Sequence, residues 1–173
     1  MTIQWNHWPR SAHAPELCRR VAEAFTAADA TICSPEHELP SNKVLAELTP
    51  ELEDLGFRVE IGKSKSDKVF VPVLYGLNGE VAKHFDADAY HESAKMVLEV
   101  EAGRAVSNNQ FLKDLFQACM MNEVEQLVIA VRNVYTGGGR RNNDFDTVSK
   151  FFDTLYASQR LELPLRGVTV IGY

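Results

Sequence analysis

The sequence predicts an α/β protein in which helices flank a mixed β-sheet. Apolar residues recur at helical spacing before residue 56, alternate as in strands between residues 57 and 102, and then alternate between helical and strand patterns from residue 109 onwards. The predicted order of elements is α-α-β-β-β-α-β-α-β. The chain has 173 residues and no repeat or linker-like segment, so we expect a single domain over residues 1–173 with its own core.

Two helices are predicted in the N-terminal third. The first covers residues 15–28, where Pro15 suits an early helical position and apolar residues form one stripe. A loop follows over residues 31–41, which contain two prolines and show no periodicity. The second helix turns its leucines inward, is capped and restarted at Thr49-Pro50, and ends at Gly56.

Three strands are predicted next, as an antiparallel β-meander. They cover residues 69–75, 81–90 and 96–102. Asn78-Gly79 between the first two is a typical hairpin turn. Pro72 inside the first strand indicates a sheet edge or a bulge, because proline has no N–H to give to a neighbouring strand.

Helices and strands alternate in the rest of the chain. The pattern predicts a helix at residues 109–121, a buried strand at 127–134, a glycine-rich loop at 136–143, a further amphipathic helix, and a strand at 167–173. The first of these helices is predicted to turn five side chains inward: Phe111, Leu112, Leu115, Phe116 and Cys119.

The composition excludes several classes of protein. No apolar run approaches the ~20 residues that span a bilayer. The N-terminal residues lack the pattern of a signal peptide, so we expect a cytoplasmic protein without a membrane partner. Three widely spaced cysteines argue against a disulfide framework. The net charge of −6 does not indicate nucleic-acid binding, but it is compatible with a nuclease, which concentrates carboxylates around its metals.

The most informative segment is the strand MVLEVEA at residues 96–102. Side chains alternate between the two faces of a strand, so Glu99 and Glu101 share one face, about 7 Å apart by twice the strand rise. If residues 91–94 form the hairpin loop, then Asp88 lies opposite Val97 and Asp86 lies opposite Glu99. Both aspartates then project on the side of the two glutamates, although a shift by one residue would reverse this.

Such a group of carboxylates indicates a metal site. Three or four acids on an otherwise apolar sheet repel one another and raise each other's pKa values, and a divalent cation removes that penalty. Oxygen ligands suit Mg²⁺ or Mn²⁺ rather than Zn²⁺. A bound cation of this kind can activate water and stabilise the charge on a phosphate, which points to phosphodiester hydrolysis. Cys33, Glu36 and His37 lack a second pair at zinc spacing, and we assign no zinc site there.

An Asp at the end of one strand, followed about ten residues later by Glu-x-Glu on the next, resembles the PD-(D/E)xK nuclease signature. The α-β-β-β-α-β order of residues 42–134 also resembles the restriction-endonuclease-like core, with an N-terminal helix and a C-terminal helix and strand added to it. The run from Val97 to Ala118 is similar to the corresponding strand and helix of type II restriction enzymes of the BamHI and BglII kind, which replace the lysine of the motif with Glu or Gln.

The resemblance implies a role for each acid. Asp88 and Glu99 would be metal ligands, with Asp86 as the alternative to Asp88. Glu101 stands at the lysine position and would act as a base or orient the attacking water. Glu47, on the helix before the meander, would be an additional acidic ligand.

Basic residues near the motif are candidates for contacts with DNA phosphates or for the missing positive charge. Lys95 and Lys113 are the candidates to replace the lysine. The lysines of residues 63–68 fit either phosphate contacts or a solvated turn, and Arg104 fits either a phosphate or a nearby acid. The residues considered for nucleic-acid contact are Lys63, Lys65, Arg104, Lys113, Arg140 and Arg141.

The resemblance implies a Mg²⁺- or Mn²⁺-dependent DNA endonuclease. A homodimer is expected, because duplex cleavage needs two active sites. The alternative is a non-catalytic module with a nuclease fold that binds nucleic acid or a partner protein, which the missing lysine and the acidic net charge favour.

Overall fold

A six-stranded mixed sheet lies between two layers of helices. The computed structural model describes residues 3–137 and 140–173. The strands found in these residues are β1 (Gln4–Trp8), β2 (Arg58–Val59), β3 (Val69–Tyr75), β4 (Val81–Ala87), β5 (Ala89–His91), β6 (Met96–Glu101), β7 (Gln126–Val131), β8 (Tyr135–Gly137), β9 (Arg140–Asn142) and β10 (Gly167–Gly172). The helices are α1 (Glu16–Ala27), α2 (Asp29–Ile32), α3 (Ser41–Asp54), α4 (Gln110–Met120) and α5 (Asp144–Ser158).

The sheet has the strand order β1-β10-β7-β6-β5-β2. Its centre is parallel, since β6 and β10 both run alongside β7 in the same direction. The other three strands pair antiparallel with their neighbours: β1 with β10, β5 with β6, and β2 with β5. Because parallel strands need crossover connections, α4 and α5 carry the chain between the three central strands.

Side-chain alternation along β6 divides the apolar side chains into two cores. Met96, Leu98 and Val100 pack with α1, α2 and α3 on one face of the sheet. Val97 packs on the other face with Phe111 and other side chains of α4, α5 and the hairpin β3–β4. The predicted division of β6 into two faces is therefore confirmed.

The predicted meander divides at Asp88. Strands β3 and β4 form their own two-stranded sheet, and the chain rejoins the large sheet only with β5. The predicted irregularity at Pro72 is confirmed by a register shift between Pro72 and Leu74. Asn78 has a φ of 58°, a left-handed conformation that asparagine tolerates at a turn.

Three further elements differ from the sequence prediction. Strand β1 was not predicted, although it covers one edge of the sheet. Helix α3 runs through Pro50 without the predicted restart. The buried stripe of Leu45, Leu48 and Leu52 continues across the proline, and its packing offsets the lost backbone hydrogen bond. On α4, Phe111, Leu112, Leu115 and Cys119 pack against the core as predicted, but Phe116 is 53% exposed.

The described residues of the predicted glycine-rich loop form the short hairpin β8–β9, in which Thr136 pairs with Arg141. Gly138 and Gly139 lie outside the described residues.

No helix among residues 3–137 and 140–173 is long and apolar enough to cross a membrane. Cys18, Cys33 and Cys119 are free thiols.

We predict that Leu98→Ala lowers the free energy of unfolding by about 2–5 kcal/mol, because Leu98 is fully buried at the centre of the sheet and its loss leaves a cavity. Urea unfolding followed by circular dichroism measures the change. Leu77→Ala is the matched control, since Leu77 is 85% exposed and its truncation should change stability by less than about 0.5 kcal/mol. Equal effects of the two substitutions would contradict the central position of β6.

Candidate acidic site at the end of β6

The candidate site forms where the chain passes from the hairpin β3–β4 into the large sheet. Asp88 is the residue between β4 and β5, so it lies just before the strand that pairs with β6. Its Oδ2 accepts a hydrogen bond of 2.7 Å from the backbone N–H of Val100, which replaces the missing strand partner. The backbone N–H of Asp88 in turn lowers the pKa of the Glu99 carboxyl group against the effect of burial. The bond from Val100 fixes the Asp88 carboxylate at the strand break, beside Glu99.

The hairpin register differs from the predicted one by two residues. Tyr90 pairs with Val97, and Ala89 pairs with Leu98. The predicted pairing of Asp88 with Val97 is therefore wrong, and Asp88 comes level with Glu99. A shift by an even number of residues leaves every side chain on its expected face.

The same shift separates the two aspartates that the sequence left as alternatives. Asp86 belongs to β4, where it pairs with Phe70. Its exposed carboxylate lies 3.8 Å from Lys68 Nζ. Asp88 is the aspartate that lies beside Glu99 in the large sheet.

A fourth acid, which sequence analysis missed, reaches the cluster from α4. Asp114 is only 3% exposed, and its carboxyl group is close enough to that of Glu101 for each of them to shift the pKa of the other. Its Oδ2 is buried and has no hydrogen-bond partner among the described residues. The signal was present in the sequence: Phe111, Leu115 and Ala118 are buried on α4, and position 114 belongs to the same helical stripe.

Burial raises the pKa of every acid in the cluster. Desolvation raises the pKa of Asp88 to about 6 and that of Asp114 to about 8, and in both cases the Glu101 charge adds to the effect. Burial and the neighbouring Asp88 and Asp114 raise the pKa of Glu99 well above its usual range. Burial also raises the pKa of Glu101, although the neighbouring Asp114 opposes the rise. The cluster therefore resists full ionisation.

Two of the predicted basic residues lie near the cluster. The positive charges of Lys113 and Arg104 lower the pKa of Glu101 against the effect of burial. Lys95, the other candidate to replace the motif lysine, lies elsewhere. Its Nζ is 3.0 Å from Glu125 at the opposite end of β6, so it serves a different ion pair.

A cleft of about 460 Å³ gives access to Asp88. Glu60 lies in its wall and donates its backbone N–H to the Asp88 carbonyl at 2.8 Å. The Glu60 carboxylate accepts a hydrogen bond of 2.7 Å from Lys68 Nζ, and the Lys68 charge in turn lowers the pKa of Asp88. Lys63 lines the same cleft. The remaining wall consists of Ile61 and Gly62 and of residues from the first half of α3: Ser41, Asn42, Lys43, Leu45, Ala46 and Thr49.

Other predicted residues are not brought to the cluster. Glu47 is exposed on α3 and does not line the cleft with the residues around it. Lys65 is exposed in the 3-10 turn Lys65–Asp67, and Arg141 is exposed in β9. The side chain of Arg140 lies outside the described part of the chain.

The chemistry of the donor set suits a hard divalent cation, because Asp88, Glu99, Glu101 and Asp114 offer only carboxylate oxygens, which Mg²⁺ or Mn²⁺ prefers more than Zn²⁺ does. In the described residues no three of these acids bring their carboxylate oxygens within 4.8 Å of one another, so a bound cation would have to draw their side chains closer together. A cation would also remove the mutual repulsion that raises their pKa values.

A second group of metal-ligating side chains lies apart from this cluster. Among the described residues, the donor atoms of Cys33, Glu36 and His37 all lie within 4.8 Å of one another. Three side chains from one turn fall short of the four ligands of a structural zinc site. The Nε2 of His37 is also in contact with the Ala30 carbonyl, at 3.0 Å.

Comparison with known proteins supports the fold. No protein-family model and no curated protein sequence matches the chain. Among solved structures, the restriction endonuclease BglII in complex with a DNA 16-mer aligns with a TM-score of 0.56 at 13% identity, over 99% of this chain and 76% of that chain. Free BglII gives a TM-score of 0.54 at 10% identity, over 99% and 79%. The chain therefore has the predicted restriction-endonuclease-like fold, a mixed sheet flanked by helices.

We predict that the cation-free protein loses stability as the pH rises from about 4 to about 8. Unfolded carboxyl groups titrate near pH 4, whereas the pKa values of Asp88 and Asp114 are about 6 and about 8 in the folded state. These groups thus bind more protons in the folded state across this range, and their contribution to the free energy of unfolding falls with pH. Urea unfolding at a series of pH values, with a chelator present, measures the slope.

Glu99→Gln should flatten this slope and stabilise the protein at the alkaline end, because one of the repelling charges is gone. Glu53→Gln is the control, since Glu53 is exposed on α3, away from the cleft lining. A wild-type stability that is constant or rises with pH would contradict the burial of the acids in an ion-free cluster.

Proposed function

We propose that the chain is a divalent-cation-dependent endonuclease that hydrolyses phosphodiester bonds in DNA. The observation that carries the proposal is the position of Asp88, Glu99 and Glu101, held on one face at a strand break of a restriction-endonuclease-like fold. The solved structure of BglII with a DNA 16-mer has this fold, which supports DNA as the substrate.

Each acid has a proposed role. Asp88 and Glu99 would hold Mg²⁺ or Mn²⁺, which when bound activates a water molecule and stabilises the charge developing on the phosphate. Glu101 would orient that water and accept its proton, because a carboxylate of raised pKa is a better base near neutral pH. Glu47 stays a prediction as an additional ligand, and its exposed position adds no support to that role.

Binding of DNA to a chain of net charge −6 needs local positive charge. Lys63 lines the cleft beside Asp88, and Lys113 and Arg104 lie near Glu101, so these three would contact phosphates around the acids. Lys65, Arg140 and Arg141 remain predictions for contacts farther along the duplex. Such contacts make affinity fall with rising salt concentration.

We also propose that the protein acts as a homodimer. One chain offers one acidic cluster, and cleavage of both strands of a duplex is served by two sites related by a two-fold axis. Sedimentation velocity with and without duplex DNA tests this, and a monomer under both conditions would contradict it.

We predict that Asp88→Ala and Glu99→Ala each lower the rate of DNA cleavage in Mg²⁺ or Mn²⁺ by at least about 100-fold. The reason is loss of a ligand at the proposed metal site. The measurement uses plasmid and oligonucleotide substrates, together with circular dichroism to show that each variant is folded.

Asp86→Ala is the matched control, because Asp86 is an exposed acid two residues away that lies in β4. Its cleavage rate should stay within about threefold of the wild-type rate. Unchanged cleavage by folded Asp88→Ala or Glu99→Ala would overturn the assignment of the site.

The second candidate function is a non-catalytic nucleic-acid-binding module. The observation that favours it is that Glu101 stands at the motif's lysine position, beside the buried carboxyl group of Asp114. The two candidates differ in one measurement: the module would bind duplex DNA in Mn²⁺ and release it intact, whereas the endonuclease would cleave it.

A further inference from the structure

We propose that Lys68 is a further catalytic residue, whose ammonium group contacts the phosphate to be cleaved and stabilises the negative charge that develops on it. The proposal rests on the function proposed above and adds to it a residue outside the segment 88–101 that resembles the nuclease motif. The juxtaposition that carries it is the ion pair between Lys68 and Glu60, which lies in the wall of the cleft that gives access to Asp88.

Two acids near Asp88 hold Lys68 in place. Lys68 lies between the 3-10 turn Lys65–Asp67 and β3. Its Nζ donates to Glu60 Oε1 at 2.7 Å and lies 3.8 Å from Asp86 Oδ2. Glu60 in turn donates its backbone N–H to the Asp88 carbonyl at 2.8 Å, and Asp86 precedes Asp88 by two residues in the chain. The Lys68 charge is therefore tied from two sides to the backbone around Asp88.

Lys68 is also less exposed than the other basic residues near the acids. Its side chain is 25% exposed, whereas Lys63, Arg104 and Lys113 are all classed with the exposed surface. In the described part of the chain, none of these three forms an ion pair at 4.0 Å or less. Long exposed side chains retain rotational freedom. A charge whose position is fixed before the substrate binds needs no reorganisation during the reaction, and Lys68 meets that condition best.

The ammonium group of Lys68 has donors left for a ligand. It carries three N–H groups, and among the described residues it makes one hydrogen bond, with Glu60. Asp86, at 3.8 Å, is beyond hydrogen-bond distance. A phosphate oxygen can therefore accept a hydrogen bond from Lys68 while the bond to Glu60 is kept. A partly exposed ion pair adds little to stability, so contact with substrate explains the position of Lys68 better than stability of the turn does.

The cleft needs such a charge because it is acidic. Glu60 and Asp88 both line it, and their carboxylates repel a DNA phosphate. A fixed ammonium group beside Glu60 offsets part of that repulsion.

Lys68 acts without giving up a proton. In hydrolysis the oxygen of the attacking water forms a bond to phosphorus, and the water proton goes to Glu101. The bond from phosphorus to the leaving oxygen breaks, and its electron pair stays on that oxygen, which the solvent protonates. Negative charge grows on the non-bridging phosphate oxygens during this step, and the Lys68 ammonium group stabilises it there.

The test compares DNA cleavage by Lys68→Met and Lys95→Met, with circular dichroism to show that each variant is folded. Methionine keeps most of the apolar stem of lysine and removes its charge. Lys68→Met should lower kcat in Mg²⁺ by about 100-fold, which is the usual effect of losing one fixed donor at a developing charge. Lys95→Met is the matched control, since Lys95 forms an ion pair with Glu125 at the opposite end of β6, and its kcat should stay at the wild-type value.

Lys68→Gln separates catalysis from the stability of the turn. Its amide N–H can still donate to Glu60, but the charge is gone. We expect a loss of kcat of at least about tenfold in this variant as well. A wild-type rate in Lys68→Gln or Lys68→Met, or equal losses in Lys68→Met and Lys95→Met, would overturn the catalytic role.

A second measurement keeps this inference separate from the proposed activity. Binding of a labelled duplex in Ca²⁺, which also takes oxygen ligands, is followed by fluorescence anisotropy over a series of salt concentrations. Loss of one phosphate contact should lower the slope of log K against log salt concentration by about 1 in Lys68→Met and leave it unchanged in Lys95→Met.

The two measurements fail in different ways. If the wild type binds the duplex but cleaves none in Mg²⁺ or Mn²⁺, the proposed function fails, and the salt slope still decides whether Lys68 contacts a phosphate. An unchanged slope in Lys68→Met, or a wild type that binds no duplex, would overturn the inference.

Discussion

The hydrogen bond from the Val100 N–H to Asp88 Oδ2 is the constraint on which the site depends. At this point the chain leaves one sheet and enters another, so a backbone donor of β6 would otherwise lie buried without a strand partner. A carboxylate satisfies that donor and is thereby fixed next to Glu99. The Asp88 side chain therefore satisfies the free N–H of β6 and at the same time places a carboxylate beside Glu99.

This arrangement brings several buried carboxylates close together, and their charges repel one another. An apolar sheet face covered by α4 and α5 receives carboxylates from β6, from the strand break and from α4. Their raised pKa values show that ionising all of them in the folded protein is unfavourable. A divalent cation would be attracted by the same carboxylates that repel one another in its absence, and this attraction would supply the binding free energy.

Sequence reasoning reached most of the fold because periodicity follows directly from burial. The alternation of side chains along β6 alone predicted that Glu99 and Glu101 lie on the same face of the sheet. The error of two residues in the hairpin register did not change that prediction. Tertiary context was harder to infer. Strand β1 is stabilised by pairing with β10, and the cleft is lined by the start of α3 rather than by Glu47. Asp114 lies on the apolar stripe of α4, so the helical pattern marks its position as buried, but that pattern does not show that the side chain meets the acids of β6.

Calorimetric titration with Mn²⁺ shows whether these acids form one site for a divalent cation, as proposed above. We expect the wild type to bind near pH 6 with release of protons, since carboxyl groups of raised pKa must ionise to become ligands. Titration in two buffers of different ionisation enthalpy measures that release, and the Glu99→Ala/Glu101→Ala variant should bind no Mn²⁺. Equal binding by the variant, or binding without proton release, would show that the acids do not form such a site.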